Sequence, residues 1–416
     1  HPEASEYRIH GKARIACLSF FSTNGSAAIG ARPFAQMPPS PVIVRQLQIR
    51  YMPDTFLPAL KGSDVSHNLA GHFLLRDGVV FLNHGSFGAC PRPVFRTYQD
   101  WQAELESQPV EFLGRRIGDL LRETRQAVAP EIGTSPDTFV FVTNATFGLN
   151  IVLQSLKLEP GDEILTSDHE YAALDKTLAY VAQRTGAQVV VANIPLPLNS
   201  EEQFTQALLE RITPKTRVLF ISHITSPTAL LFPIESIVAH CRENGIISVI
   251  DGAHVPGHIP LDLDALGADF YSGNFHKWLM TPKGSAFVYA RPEMPALVDP
   301  LVISHGWTPN IREPGATGAF GHSPFLDTLE FQGTRDPSAS LSSPSAIAFR
   351  REHDWPSVIA QCSALARDTA RRVAALTGLE PLAAPQFCAP QMAAMPLPDC
   401  DPEAVRIALL DRYGME

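Results

Sequence analysis

One lysine of the sequence stands in a setting that suits nucleophilic chemistry. Lys277 follows a predicted strand and lies between His276 and Trp278. A lysine amine that is withdrawn from water loses its proton more readily and can attack a carbonyl carbon, and a neighbouring His276 cation would lower the pKa of Lys277 further. Most lysines are solvated surface charges, and the rival Lys283 falls in a Pro-Gly turn that is typical of a loop. Lys277 therefore needs supporting residues before it can be assigned a role.

Three further polar segments each follow a predicted strand. Asp251 closes an apolar strand, His169 follows another, and Ala145 and Thr146 lie where a strand runs into a predicted helix. A helix start can hold a phosphate, an imidazole can stack on a flat ring, and a carboxylate can keep a pyridine nitrogen protonated so that the ring accepts electrons. Together with Lys277, these residues predict a site for pyridoxal 5′-phosphate (PLP).

Each supporting residue also has an ordinary structural interpretation. Asp251 can cap a turn, the helix start at Ala145 can be a plain N-cap, and a lone histidine such as His169 is more often structural. The order of the four segments along the chain is what favours the cofactor site. A nucleotide cofactor has less support, because the sequence contains no glycine-rich dinucleotide fingerprint.

The elements that would position these residues are short apolar strands alternating with amphipathic helices. Several strands, such as residues 217–224, are continuously apolar, as expected where helices cover both faces of a sheet. The pattern predicts an α/β fold, a three-layer sandwich with a mostly parallel sheet. The predicted strands are residues 138–142, 163–166, 188–194, 217–224, 247–251, 269–272 and 285–289.

Helix boundaries are also readable in places. Ser200 to Gln203 form a capping box, which predicts a helix start at this point. A second helix is predicted over residues 234–244 and ends at Gly245. A long amphipathic segment over residues 112–132 carries Arg115 and Arg116, which we interpret as solvated; the alternative is that one of them reaches a partner's site to bind a carboxylate.

The chain of 416 residues is long enough for two domains. We predict an irregular N-terminal extension over residues 1–70, a large cofactor-binding domain over 71–320, and a smaller α+β domain over 321–416. The small domain is indicated by a change in sequence composition, to helical sequence over residues 357–377 and a proline-rich stretch over 381–402. We expect the small domain to be incomplete, because the chain stops just after a helix-like stretch.

Composition excludes several other classes of function. The formal net charge of −10, without a block of Lys and Arg, argues against a nucleic-acid binder. The six cysteines form no CxxC pair, which argues against a zinc site or a disulfide framework and favours a cytoplasmic protein without a metal. No apolar run is long enough for a membrane span. A small-molecule substrate is the partner that remains.

Four motifs of the sequence resemble the class V aminotransferase family of fold-type I PLP enzymes, and within it the isopenicillin N epimerase-like branch. The resemblance extends roughly over residues 81–336. It is highly specific for fold and cofactor and much weaker for the substrate. The motifs are Phe-Leu-Asn-His-Gly-Ser-Phe-Gly at 81–88, Ser-His-Ile-Thr-Ser-Pro-Thr at 222–228, Asp-Gly-Ala-His at 251–254 and Gly-Asn-Phe-His-Lys-Trp at 273–278.

The resemblance implies a role for each matching residue. Lys277 would form the Schiff base and move protons at the substrate Cα, Asp251 would pair with the pyridine nitrogen, and His169 would stack on the ring. Thr225 or His254 would approach the ring hydroxyl. The implied phosphate contacts are Ala145, Thr146, Asn274 and His276, with Gly333 and Thr334 contributed by the neighbouring subunit of a homodimer. The implied substrate pocket includes Asn83, His84 and Gly85.

The reaction stays open at this point. Epimerisation needs a second acid or base opposite Lys277, and Tyr171 and His84 are the candidates. The arginine that often binds the substrate carboxylate in this family does not appear before Glu416, so Arg335 is the candidate substitute, and we predict that the chain binds PLP with weak turnover. The alternatives are an aminotransferase, a C–S lyase of a cysteine derivative, and a PLP-binding protein without catalysis. A cysteine desulfurase is disfavoured, because none of the cysteines has the setting of a nucleophile on a mobile loop.

Overall fold

The computed structural model describes residues 14–17, 69–309, 312–313 and 315–416. Within the predicted N-terminal extension, Arg14–Cys17 form strand β1, and the extension as a whole stays a prediction. This strand pairs antiparallel with β9, Ala394–Leu397. A partner strand distant in the sequence supplies the ladder, and the local pattern gives no indication of it. The rest of residues 1–68 lies outside the described residues.

The centre of the fold is a seven-stranded sheet. Its order is β2-β8-β7-β6-β5-β3-β4. β8 runs antiparallel to both of its neighbours, and the other strands all run in one direction. The strands are β2 Phe139–Val142, β3 Glu163–Ser167, β4 Gln188–Ala192, β5 Thr216–Ser222, β6 Ile247–Asp251, β7 Phe270–Asn274 and β8 Ala286–Ala290.

Helices cover both faces of this sheet, and further helices follow its last strand in the sequence. Short 3-10 helices add Ala70–His72, Pro295–Leu297 and Pro385–Phe387. The α-helices are α1 His84–Phe87, α2 Arg92–Ser107, α3 Pro109–Glu111, α4 Ile117–Ile132, α5 Ala145–Ser155, α6 Ala172–Thr185, α7 Glu201–Leu209, α8 Glu235–Glu243, α9 Leu263–Leu266, α10 Pro324–Glu330, α11 Ser338–Leu341, α12 Ser343–Glu352, α13 Trp355–Thr377 and α14 Pro402–Tyr413.

Alternate residues of each strand feed separate cores on the two faces of the sheet, as the period of two requires. In β2, Phe139 and Phe141 join one buried cluster, whereas Val140 and Val142 join the other. The first cluster includes residues of α4, α7 and α8, and the second includes residues of α5, α6 and α10. Helices therefore cover both faces, and the predicted three-layer sandwich with a mostly parallel sheet is confirmed.

One predicted helix start and one amphipathic segment show further detail in the structure. Ser200 caps α7 by accepting from the Gln203 amide at 3.1 Å, as predicted, but Gln203 Oε1 accepts from the Asn199 amide, one residue before the cap. The amphipathic segment over residues 112–132 consists of a π-helix, Phe112–Arg116, followed by α4. π-helices are rare and are often associated with function.

The segment that follows α13 lies along the large sheet domain. Leu198 and Leu382 are joined by a backbone hydrogen bond of 2.9 Å, and the Leu231 amide donates to Phe387 O at 2.8 Å. Phe73–Glu416 belong to one compact unit. The division into a large and a small domain near residue 320 stays a prediction.

Several classes of site are absent from the described part of the chain. Its five described cysteine side chains, Cys90, Cys241, Cys362, Cys388 and Cys400, are all free. Over the same residues, no group of three or more His, Cys, Asp and Glu side chains is placed to hold a metal ion. None of the described helices combines the length and apolar character that a membrane crossing requires.

Candidate active site

Lys277 lies just beyond the carboxyl end of β7 and is almost completely buried. Its Nζ is 3.1 Å from His254 Nε2. Burial lowers the pKa of Lys277 to about 8, and the nearby Asp251 carboxylate opposes this shift. At pH 7 this pKa leaves about one tenth of the amine unprotonated, far more than for an ordinary lysine, and the unprotonated form is the one that attacks an aldehyde.

The expected His276 cation is wrong as the cause of this shift. His276 is itself buried, and burial lowers its pKa to about 4, so the ring is neutral at pH 7. Its Nδ1–H donates to Ser285 O at 3.2 Å, which leaves Nε2 without a proton. Donation from Nε2 to a phosphate would require His276 to take up a proton. Its role as a phosphate contact stays a prediction.

His254 is the neighbour that favours the neutral amine. Burial lowers the pKa of His254 well below its ordinary value. Trp278 Nε1–H donates to His254 Nδ1 at 3.4 Å, so in the neutral ring the proton is on Nε2. The Nε2–H group then donates to Lys277 Nζ, which can accept only when it is unprotonated. Burial and His254 together hold Lys277 ready for attack.

Asp251 is the last residue of β6 and is also buried. Burial raises its pKa to about 6, while the Ala253 amide and Lys277 pull in the opposite direction. The Ala253 amide donates to Asp251 Oδ1 at 2.8 Å. Among the described residues, none forms a hydrogen bond with Oδ2. This free oxygen in a dry setting fits a partner that carries a proton, such as a pyridine nitrogen.

His169 follows β3 and is held by a chain of hydroxyl groups. Its Nδ1 is 2.9 Å from Thr228 Oγ1, which is 2.8 Å from Thr225 Oγ1. The Leu230 amide donates to Thr225 Oγ1, also at 2.8 Å. Thr225 therefore supports His169 through Thr228 in this structure, and its contact with a ring hydroxyl stays a prediction.

The predicted phosphate loop is the first turn of α5. Asn144 caps the helix by accepting from the Phe147 amide at 2.8 Å. The Ala145 amide donates to Asn274 Oδ1 at 2.8 Å, so β7 and α5 are joined at this edge of the sheet. The Thr146 amide and hydroxyl have no acceptor among the described residues. A helix N-terminus with a free donor is the arrangement that binds a phosphate.

His84 and Gly85 lie against the Lys277 segment. His84 Nε2–H donates to Lys277 O at 3.0 Å, and its ring packs on Trp278 with centroids 5.0 Å apart. A Cβ on Gly85 would be 3.4 Å from Trp278, 3.5 Å from Met392 and 3.6 Å from His254. Gly85 thus keeps space open beside the residues that contact Lys277.

The other two candidates for the substrate pocket are placed differently. Asn83 is buried, and its Oδ1 accepts from Ser86 Oγ at 2.6 Å, which orders the start of α1. Tyr171 is half-buried; burial, and then the charge of Asp251, raise its pKa. Tyr171 therefore faces the Asp251 side of the site as a neutral phenol.

The structure does not bring the 333–335 segment to Lys277 within this chain. Thr334 is exposed, and Gly333 has a φ of 103° with open space where a side chain would be. The Arg335 guanidinium donates to Phe141 O and Glu330 O at 3.3 and 3.1 Å. The proposed contact of Gly333 and Thr334 with a neighbouring subunit, and of Arg335 with a substrate carboxylate, stay predictions.

Three residues at the site were not assigned a role from the sequence. Thr228 ends the 222–228 motif and Glu170 directly follows His169, but nothing in the local pattern indicates that they bond across strands. Met392 comes from the proline-rich stretch, and only the folded chain brings it next to Gly85. Contacts between distant segments of this kind have no signature in a single sequence.

A separate cavity of about 520 Å³ lies at the opposite edge of the sheet. Its walls include Asp137 and Thr138, which precede β2, and Ala290, which ends β8. Ligands of open α/β sheets bind at the carboxyl ends of the parallel strands. The chemistry-bearing residues of this chain are at that carboxyl edge, so we assign the active site there and not to the cavity.

Comparison with known proteins agrees with this geometry. The family described as "Aminotransferase class-V" matches residues 89–416. The chain belongs to the class-V aminotransferase family. Members of this family are PLP-dependent enzymes, and PLP is the cofactor of this chain. The free Asp251 oxygen, the Lys277 amine with its lowered pKa and the free Thr146 donor fit the pyridine, aldehyde and phosphate groups of that cofactor.

Individual relatives have different activities. The chain is 34% identical over 350 residues to isopenicillin N epimerase of Streptomyces clavuligerus, covering 83% of this chain and 88% of the relative. It is 30% identical over 305 residues to L-cysteine desulfhydrase of Arabidopsis thaliana, covering 70% and 64%. The solved structure of the cystine C–S lyase C-DES, in complex with cysteine persulfide, matches with a TM-score of 0.68 at 23% identity, covering 81% and 89%. That last likeness supports the fold alone.

Proposed function

We propose that this class-V aminotransferase acts at the α-carbon of an amino acid or an amino-acid derivative, as an epimerase similar to isopenicillin N epimerase or as an aminotransferase. The observation that carries the proposal is the buried Lys277 amine, whose pKa is lowered to about 8 and whose Nζ lies 3.1 Å from His254 Nε2, near the buried Asp251. The 34% identity to the Streptomyces clavuligerus epimerase supports the substrate class.

PLP, when bound, supplies an aldehyde and an electron-accepting ring. The residues of the chain do the rest. Lys277 Nζ provides the nucleophile and, once released, an amine that can take a proton from Cα and return it. Asp251 Oδ2 holds the proton of the ring nitrogen, and the start of α5 anchors the phosphate so that the bond to be broken is correctly oriented.

Epimerisation requires a second group on the face of Cα opposite Lys277. His84 offers its Nδ1, because its Nε2–H is bound to Lys277 O, and burial lowers the pKa of His84 to about 4. Tyr171 offers a neutral phenol, whose pKa is raised. We propose either that Lys277 takes the Cα proton and the Tyr171 phenol supplies one on the opposite face, or that His84 Nδ1 takes the Cα proton and the Lys277 ammonium group supplies one.

The second candidate function is C–S bond cleavage in a cysteine derivative. The specific observation in its favour is the 30% identity to the Arabidopsis thaliana L-cysteine desulfhydrase. The same Lys277 and Asp251 would serve, since this reaction also begins with loss of the Cα proton. The products separate the two candidates, because cleavage releases pyruvate and ammonia whereas epimerisation leaves the amino acid intact.

The proposal is tested first by locating the cofactor. Borohydride reduction of the PLP-loaded protein followed by peptide mapping should place the pyridoxyl group on Lys277. It should be lost in Lys277→Ala and retained in the matched control Lys283→Ala, which changes an exposed lysine six residues away. An adduct on Lys283 or on any other lysine would refute the assignment.

The reaction is tested next in deuterium oxide. An epimerase should incorporate deuterium at Cα of its amino-acid substrate with inversion and without release of ammonia. Pyruvate and ammonia from L-cysteine or L-cystine would support the lyase. Formation of a keto acid without ammonia would support the aminotransferase, and stable PLP binding without any of these outcomes, across a panel of amino acids, would contradict both proposals and favour binding without catalysis.

A further inference from the structure

Glu170 is a buried carboxyl group to which the proposed chemistry gives no part. It follows His169 directly and is 1% exposed. Charged side chains are almost never buried to this degree unless they are paired or hydrogen-bonded. Its hydrogen bonds to two serine residues offset the cost of this burial.

The hydrogen bonds of Glu170 reach two strands. Ser167 Oγ, at the end of β3, donates to Glu170 Oε1 at 2.5 Å. The amide and the hydroxyl of Ser222, at the end of β5, donate to Glu170 Oε2 at 2.9 and 2.6 Å. Ser167 Oγ also accepts from the His169 amide at 3.2 Å. One carboxyl group thus joins the turn that carries His169 to the neighbouring strand.

The Ser222 end of this link leads to Asp251. Ser222 of β5 is the register partner of Asp251 in the parallel strand β6. Register partners on neighbouring strands point to the same face of a sheet and are about 4.8 Å apart. Ser222 Oγ, and with it the Glu170 carboxyl, is therefore on the Asp251 side. The charge of Asp251 accordingly contributes to raising the pKa of Glu170.

We propose that Glu170 is a positioning residue for the cofactor ring, because its carboxyl group sets the turn of His169 relative to the strand that is paired with Asp251. His169 would stack on the ring and Asp251 would bind its nitrogen, so their separation fixes where the ring lies. This inference rests on the proposed function, and it adds a residue that touches neither cofactor nor substrate.

The protonation state of Glu170 gives the proposal a distinctive pH dependence. Burial raises its pKa to about 8, the serine hydrogen bonds oppose this shift, and Asp251 of β6 and Asp175 of α6 add to it. His169 and Tyr171 are its titratable chain neighbours. Near neutral pH, Glu170 is a neutral acid whose proton one serine hydroxyl can accept. Above about pH 8 it becomes a second negative charge beside Asp251.

Two substitutions separate hydrogen bonding from charge. Glu170→Gln keeps an oxygen for Ser222 and an NH₂ group for Ser167 Oγ, so it imitates the neutral acid at every pH. Glu170→Ala removes the link. We expect Glu170→Ala to weaken PLP binding about tenfold, as the loss of a buried hydrogen-bond hub can do, and to alter the visible circular dichroism of bound PLP.

Glu170→Gln should match the wild type near neutral pH in both PLP affinity and circular dichroism. As the pH rises to about 9, the wild-type spectrum should change by an increment that Glu170→Gln lacks. The measurements are PLP titration and visible circular dichroism of the full chain at each pH. Neither depends on turnover, so the identity of the substrate does not enter.

The matched control is Glu163, at the other end of β3. Its Oε2 accepts from Thr213 Oγ1 at 2.6 Å and from Thr216 Oγ1 at 3.2 Å, so it also links β3 to β5, but at the amino edge. Glu163→Ala should leave PLP affinity and the spectrum of bound PLP unchanged. If Glu170→Ala does not fold, Ser167→Ala should show the spectral change, because it removes the Ser167 Oγ bonds to Glu170 and to the His169 amide but keeps the Ser222 bonds to Glu170.

Wild-type affinity and spectrum in Glu170→Ala, or in Ser167→Ala as its replacement, would overturn the proposal. The same pH increment in Glu170→Gln as in the wild type would overturn the assignment of that increment to Glu170. If Glu163→Ala loses as much PLP affinity as Glu170→Ala, the loss is a general effect of breaking the link between β3 and β5. That result would also overturn the proposal. Failure of the wild type to bind PLP would refute the proposed function together with this inference.

Discussion

Lys277 and Asp251 are buried ionisable residues whose pKa values move toward each other. Burial lowers the pKa of Lys277 to about 8 and raises that of Asp251 to about 6. In both cases burial disfavours the charged form. Without the cofactor, the protein therefore carries two unfavourably placed groups at neutral pH. The protonated ring nitrogen would give Asp251 the partner that it lacks.

The cost of burying Asp251 predicts a stabilising substitution. Asp251→Asn should stabilise the PLP-free protein near pH 8, because it removes a carboxylate whose pKa in the folded state is about 6, compared with the model value of 3.8. A shift of this size corresponds to about 3 kcal/mol as an upper value, reduced by the loss of attraction to Lys277. Thermal unfolding of the PLP-free proteins as a function of pH measures it.

The sign of the pH dependence is specific. A raised folded-state pKa means that wild-type stability is fully present below the unfolded pKa of about 4 and is lost as the pH rises through about 6. The two proteins should thus have similar stability near pH 4, diverge as the pH rises from about 4 to about 6, and differ by a constant amount at higher pH. PLP should reverse the order, since Asn cannot hold the proton of the ring nitrogen as well. A constant difference at all pH values would contradict this explanation.

At the scale of elements, the strands were largely predictable and the details at their ends were not. Residues 247–251 were predicted with the observed bounds, because a continuous apolar run ends at a carboxylate and a glycine. The predicted strand over 188–194 ends two residues early, at Ala192. The Ile194 amide instead donates to Asp168 Oδ1 at 3.0 Å. Burial patterns identify a strand, whereas a side chain from another segment decides where it ends.

In the site, too, the residues that follow strands were predictable from the sequence, whereas the contacts between distant segments were not. Lys277, Asp251, His169 and the α5 start were proposed as site residues from the sequence because each follows an apolar strand, and parallel strands place such residues along one edge. His254 was assigned to the ring hydroxyl, but its contact with Lys277 Nζ depends on the turn after β6. The two strands that Glu170 joins, β3 and β5, are neighbours in the sheet. In the sequence they are separated by α6, β4 and α7. No local pattern contains that information.

The N-caps of α5 and α7 offer a matched pair for an element-scale prediction. Asn144 caps α5 at the cofactor edge, and Ser200 caps α7 by the same type of bond. Replacement of either cap by Ala should cost about 1 kcal/mol of stability. Only Asn144→Ala should also weaken PLP binding, because it loosens the turn that presents the Thr146 amide.

Urea unfolding and PLP titration of both variants check this prediction. Ser200→Ala serves as the control, since it loses a cap of the same kind at a distance from Lys277. An equal loss of PLP affinity in the two variants would contradict a phosphate site at α5. Unchanged affinity in Asn144→Ala, with the expected loss of stability, would contradict it as well.

For the whole molecule, the open question is whether one chain builds a complete site. The single chain places Lys277, Asp251, His169 and the start of α5 at one edge of the sheet, yet Thr334 is exposed. We propose a homodimer in which Gly333 and Thr334 of each subunit contact the phosphate bound by the other. In a twofold dimer, such a shared site occurs twice and each copy needs both chains.

Mixed dimers of two inactive variants test this arrangement. Lys277→Ala removes the nucleophile, and Thr334→Asp should prevent PLP binding by placing a negative charge beside the phosphate. Each variant alone should form no borohydride-stable adduct. Random association after equal mixing makes about half of the dimers mixed. Each mixed dimer has one intact site, in which Lys277 of one chain meets Thr334 of the other. About one quarter of all sites should therefore form the adduct. Adduct formation per subunit, measured together with native mass, gives the count. Recovery near zero in a preparation that contains mixed dimers would place Thr334 and Lys277 of the same chain in one site and refute the shared arrangement.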